Sequence, residues 1–179
     1  MYAGNRFELM ADYNAWMNER LYAICAGLSD EERRRDRGAF FKSIHATLNH
    51  ILWGDRAWMT RLAGKSYGDW TPIGTELYAD FAELRAARTD MDREIRAWAA
   101  ALTPEWLDAP YVFTSQVYKT TRVQPAWVFV THMFNHQTHH RGQLTTLLAQ
   151  MGLDFGITDI PMMPQLEGDG DDSGRLSPR

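Results

Sequence analysis

Four long segments of this chain repeat apolar residues every three or four positions, and that period constrains the fold more than any other feature of the sequence. Side chains at such steps share one face of an α-helix. The first segment spans residues 7–28, with Met10, Met17, Leu21, Ile24 and Leu28 on its stripe. The second spans 40–62, with Ile44, Leu48, Ile51, Leu52, Trp58, Met59 and Leu62. The third, 76–102, carries Leu77, Phe81, Leu84, Met91, Ile95, Trp98 and Leu102, with Arg88 as its one polar interruption. Its steps alternate four and three, the period of helices packed at a shallow angle in a left-handed bundle. The fourth starts near Gln124-Pro125 and stops at Gly152. The sequence therefore predicts an all-α fold.

Shorter signals punctuate these segments. Ser29-Asp-Glu-Glu32 has the spacing of a capping box and predicts a short helical turn. Thr103-Pro104-Glu105 reads as a cap, a first-position proline and an acidic first turn. Residues 111–114 and 116–123 are rich in β-branched and aromatic residues and predict an extended pair or small hairpin. Residues 64–74 form a loop, and 157–166 are expected to pack across an end of the bundle. The whole reads as a single domain over 1–166 with a disordered tail over 167–179, composed mainly of Gly, Asp, Ser and Pro.

Composition narrows the partners. A formal charge of −4 gives no general attraction for nucleic acid or anionic membranes. The basic run Arg33-Arg34-Arg35 sits among four acidic residues and reads as a solvated turn. No apolar run reaches the ~18 residues of a membrane span, and the first residues lack a signal-peptide layout. The expected location is the cytoplasm. Cys25 is the single cysteine, so neither an intrachain disulfide nor a cysteine-based zinc motif can form. Its apolar helical setting predicts a buried, inert thiol.

Four of the six histidines fall between His132 and Gln143. His132/His136 and His136/His140 are both i,i+4 pairs, so either pair could face one ion from a single helix. Phe129, His132, Met133, His136, His140, Gln143 and Leu147 share a helical face, which predicts imidazoles turned into the bundle. Three imidazoles with an open position are the usual arrangement of a catalytic divalent site. His50 is the best-placed third ligand, and Ser43, Ala46, Thr47, Gly54 and Ala57 are small residues on its flank. Small residues let another helix approach, or leave room for a ligating imidazole. His45 reads as structural or exposed. Asn14 lies within an apolar stripe, so it bonds a neighbouring helix or faces a polar pocket. Trp16 and Trp53 are further pocket candidates, with core packing the commoner role. Residue 137 is Gln, so the general base of His-Glu-x-x-His is absent, which counts against peptide hydrolysis.

The text Asn135-His136, then three residues to His140-Arg141-Gly142-Gln143, resembles the signature of the DinB family of metalloenzymes. Residues 12–21 and 48–53 are similar to that family's first- and second-helix segments. The resemblance covers nearly the whole chain up to the tail. It implies an up-and-down four-helix bundle, a divalent metal such as zinc or nickel, and a homodimer. It implies His50, His136 and His140 as the metal ligands, leaving His132, His139, Gln143 and Asn14 around them. It further implies transfer of a low-molecular-weight thiol to a small electrophile. A non-catalytic metal-binding or stress-response protein, and a metal-dependent hydrolase with His139 as base, are the competing expectations. On the transferase reading, Arg141 could orient an anionic part of the substrate, with pairing to an acidic residue or a helix carbonyl the commoner role.

Overall fold

The computed structural model describes residues 5–115 and 118–166. Gln116, Val117 and the expected tail over 167–179 lie outside the described residues. The chain forms α1 (Arg6–Ala26), α2 (Asp30–Arg34), α3 (Ile44–Ala63), α4 (Phe81–Ala100), α5 (Pro104–Asp108), β1 (Pro110–Ser115), β2 (Thr120–Pro125) and α6 (Ala126–Gln150). Two 3-10 turns, Ile160–Met162 and Pro164–Leu166, follow. The four long helices are those the apolar stripes predict.

Local chemistry sets the helix starts. Asn5 caps α1, accepting from the backbone N–H groups of Phe7 and Glu8. Ser29 and Glu32 close the expected capping box on α2, and Thr103 caps α5 ahead of Pro104. Two starts differ from expectation. The second long helix begins at Ile44 rather than residue 40, because Ser43 caps it by accepting from the N–H of Ala46. The third begins at Phe81 rather than residue 76, because Asp80 accepts from the N–H of Glu83. The displaced residues serve as a clasp. His45 is buried, and its Nε2 lies 2.9 Å from the Tyr78 carbonyl and 3.1 Å from Glu76 Oε1. Asn49 accepts from the N–H of Tyr78 at 2.9 Å. His45 is therefore structural.

The four-helix bundle implied by the resemblance is the architecture found. Around it, α1 touches α4 and α6, and α3 touches the same two helices. Contacts refine the order of directions. Asn5 and Ala99, then Asn18 and Asp92, run α1 antiparallel to α4. His50 with His140, and Trp58 with Phe129, run α3 antiparallel to α6. Asp55 with Arg88, and Lys65 with Glu94, make α3 and α4 parallel. The directions are thus up, down, down, up. Parallel neighbours need a return path. Twenty residues of helix rise about 30 Å, and residues 64–80 are long enough to span that distance alongside α3.

The core joins Met17, Leu21, Leu48, Leu52, Met59, Leu84, Ile95, Met133, Leu144 and Leu148, all nearly inaccessible. Cys25 is fully buried, and burial pushes its thiol up to about 12, as expected of an inert cysteine. The hairpin pairs Pro110 with Pro125 through Ser115 with Thr120. Residues 153–166 run back along α1 rather than across the bundle end. Arg20 donates to the carbonyls of Phe155 and Ile157, Tyr13 Oη donates to the Thr158 carbonyl at 2.7 Å, and Met163 enters the core. Among the described residues, no helix is long and apolar enough to cross a membrane.

Candidate metal centre

His50 on α3 meets His136 and His140 on α6 at the seam between the two helices. Their Nε2 atoms form a triangle with sides of 3.3 Å (50 to 136), 3.1 Å (50 to 140) and 3.1 Å (136 to 140). Three nitrogens held about 2.0–2.1 Å from one ion would be roughly 2.8–3.4 Å apart, across octahedral to tetrahedral angles. The triangle fits. Hydrogen bonding alone cannot satisfy it. A ring nitrogen of neutral imidazole is either a donor or an acceptor, and three mutual contacts cannot each join one of each kind. A cation facing three lone pairs removes the conflict.

Protonation favours that arrangement. His140 Nδ1 lies 2.9 Å from Gln143 Oε1, which only accepts, so Nδ1 carries the proton and Nε2 the lone pair. Gln143 Nε2 in turn lies 3.3 Å from His139 Nε2. Burial, reinforced by the neighbouring His140, lowers His50 to about 3. Burial and the surrounding imidazoles bring His136 to about 3, and burial lowers His140 as well. All three are neutral at pH 7, the form that binds metal. Unfolded, His50 and His136 take up protons near pH 6.5, but in the folded chain both resist until about pH 3. Stability of the metal-free protein should therefore be complete above pH 6.5 and fall as pH drops through that window. The slope is at most about 1.4 kcal/mol per pH unit for each imidazole. Urea midpoints at pH 7 and pH 5 check this, with the lower midpoint expected at pH 5.

The packing around the triangle is specific. A Cβ built on Gly54 would meet His136 Cε1 at 2.6 Å and Nδ1 at 3.1 Å. Glycine at 54 thus makes room for the His136 ring of the neighbouring helix. Gly54→Ala should improve helix propensity by about 1 kcal/mol yet weaken divalent-ion binding by about tenfold or more. Chelator competition beside a thermal melt separates the two effects. Phe41 stacks on His50 at a centroid distance of 3.8 Å and stands edge-on to His140 at 5.5 Å. It is held there by a tight turn in which Lys42, at φ 68°, adopts the left-handed conformation. Trp53 flanks His50 at 5.7 Å.

The other expected site residues separate. His132 does not point into the bundle. It is exposed, with its ring 5.0 Å from Trp58 and 6.2 Å from His136. The buried face of α6 centres instead on Met133, Gln137, Arg141 and Leu144, which leaves His132 at its edge. His139 is also exposed, next to His140. Asn14 is buried but bonds to Asp92 and Arg141 rather than to the histidines. Trp16 packs on Tyr13 and Arg20. Gln137, where a metalloprotease has its base, is turned into the core and donates to Asp55 Oδ1 at 2.6 Å.

That contact belongs to a network the sequence did not reveal. Arg88 pairs with Asp55 and, at 2.9 Å, with Asp92. Asn18 donates to Asp92 at 2.9 Å, and Arg141 donates to Asn14. All are buried. Burial alone would lower the Arg88 pKa, but Asp92 and Asp55 outweigh it and hold the guanidinium charged. Burial brings Arg141 down to about 10, still charged at pH 7. On the far side of this network from the histidines, a cavity of about 320 Å³ opens between α1 and α4. Arg88 and Asn14, each a polar break in an apolar stripe, were the sequence signals for the network.

A four-helix bundle carrying three histidines at one seam, with geometry fit for a divalent ion, defines a metal-competent helical class. The chain belongs to the DinB family, whose pattern matches residues 1–173. It is similar to Protein DinB of Bacillus subtilis (strain 168), with 26% identity over 155 residues, covering 83% of this chain and 87% of that protein. A crystal structure of a DinB-like protein from Bacillus cereus ATCC 10987 shares the fold with a TM-score of 0.60 and 20% identity, over 79% of this chain and 90% of the other. YfiT from Bacillus subtilis, described as a probable metal-dependent hydrolase with an unusual four-helix bundle topology, gives 0.56 and 15%, over 81% and 87%.

Proposed function

We propose that this chain is a metal-dependent enzyme in which His50, His136 and His140 hold one divalent ion, zinc or nickel, through Nε2, and that it transfers a small thiol to a small electrophile. The observation that carries the metal reading is the Nε2 triangle, whose three contacts cannot all be hydrogen bonds. When bound, the ion supplies positive charge that favours the deprotonated form of a ligand at an open position. The chain's own residues do the rest. Gln143 fixes the His140 tautomer, while Phe41 and Trp53 shield His50 from water. Among the described residues, the cluster contains no carboxylate to act as a base. That favours a thiol, ionising near pH 8.5, over water at 15.7, since the thiol needs far less help to lose its proton. Arg141 is withdrawn from any substrate role by its burial against Asn14.

Hydrolysis is the second reading. It is favoured by the description of YfiT and by the exposed His139 and His132 imidazoles, either of which can accept a proton beside the site. The test is elemental analysis of gently purified protein, followed by assays with a panel of small thiols and electrophiles. Equimolar metal and thiol-dependent product support transfer. Product formed without thiol supports hydrolysis, and absence of bound metal would sink both.

A further inference from the structure

Each α6 histidine of the cluster is followed immediately by a residue anchored in the buried ionic network: His136 by Gln137, and His140 by Arg141. Consecutive helical residues point about 100° apart. Gln137 and Arg141, four apart, therefore share a core-facing line, while His136 and His140 share the line facing α3. Gln137 is inaccessible and donates to Asp55, and Arg141 is 3% exposed and donates to Asn14. Asp55 follows Gly54, the residue that the His136 ring rests against. The network thus grips α6 from both α1 and α3, one residue away from each point where the site is built.

We propose that Gln137 and Arg141 are positioning residues for the metal centre, fixing the rotation and height of α6 so that its two imidazoles meet His50. The physical reason lies in direction. Apolar contacts would hold four helices together at least as well as buried charges do, but they tolerate small slips of one helix on another. Charge-assisted hydrogen bonds, Gln137 to the Asp55 carboxylate and the Arg141 guanidinium to Asn14, do not, because the donor must stay within a few tenths of an ångström and in line. A rotation of α6 that opened the Nε2 triangle would also leave Asp55 Oδ1 and Asn14 Oδ1 without their donors in a dry interior.

This inference rests on the metal reading, and its test is separable from it. The probe is cobalt(II), followed by its visible absorption and by competition with a chromophoric chelator, alongside thermal melts of the metal-free protein. Gln137→Met keeps the shape and removes the donor, while Asp55 retains Arg88. The expected result is a folded protein with cobalt affinity lowered about 10- to 100-fold, the range for partners one shell out from a ligand, and a shifted spectrum. Leu84→Ala, a core truncation on α4, should lower the melting temperature and leave affinity and spectrum unchanged. If Gln137→Met does not fold, Arg141→Lys, which keeps the charge and loses the reach to Asn14, decides on the same two readouts. A folded variant with affinity within about twofold of wild type and an unaltered spectrum overturns the positioning role alone. A wild-type protein that binds no cobalt overturns the metal reading together with it.

Discussion

Alanine at position 50 is expected to abolish stoichiometric binding of a divalent ion. His50 is the one member of the Nε2 triangle that comes from α3, so its removal leaves two imidazoles on a single helix. Partners one shell beyond a ligand are worth 10- to 100-fold in affinity, and losing a ligand should exceed that, at about 100-fold or more. The fold should survive, because α3 remains anchored by Leu48, Leu52 and Met59 in the core. His132→Ala is the matched control. Its ring is exposed and outside the triangle, so metal content should stay at the wild-type level. Elemental analysis of both variants after identical dialysis provides the measurement. Full stoichiometry in His50→Ala, or loss in His132→Ala alone, would mean that the ion sits elsewhere.

The largest stability effect is expected from Arg88→Ala. The substitution strips the cation from between Asp55 and Asp92, both in the interior. Removing one partner of a buried ion pair costs about 3–5 kcal/mol, since the remaining charge is left uncompensated. Two carboxylates share this cation, so the upper end applies, against a total stability of roughly 5–15 kcal/mol for a domain. The variant should melt far below wild type or fail to fold at 37 °C. Arg93→Ala removes a charge only five residues away. That side chain is exposed and pairs with Asp90 at i,i+3, so its loss should change stability by less than about 0.5 kcal/mol. Replacing Arg88, Asp55 and Asp92 together by apolar residues of similar volume should restore much of the stability. Denaturant melts of the four proteins check these expectations. A mild effect of Arg88→Ala would show that water reaches the network and screens it.

The two sets of residues differ in how readable they are. Each long helix announces itself because its evidence is local: Met17 and Leu21, or Leu48 and Leu52, lie one turn apart in the sequence as on the helix. The caps at Ser29 and Thr103 are local too. Two of the three triangle histidines were equally legible, since His136 and His140 are one turn apart; His50 was the best-placed third candidate, and the resemblance chose this set over His132. Where expectation and structure differ, a further cap or a contact made on packing decided. Asp80 and Tyr78 engage the chain as a cap and a clasp, so α4 starts late even though Leu77 continues its stripe. His132 has the right spacing to His136, yet it faces outward because Met133, Gln137 and Arg141 set the rotation of α6.

The sequence by itself determined four amphipathic helices and a pair of imidazoles on one of them, because periodicity and capping act over three or four residues. Only the tertiary structure decided the up-down-down-up order and the room that Gly54 leaves for His136. It alone also joined Asp55, Arg88, Asp92, Asn14, Gln137 and Arg141 into one buried network. Polar residues on four different helices carry no shared sequence period, and burial, which makes their pairing obligatory, exists only once the helices have packed.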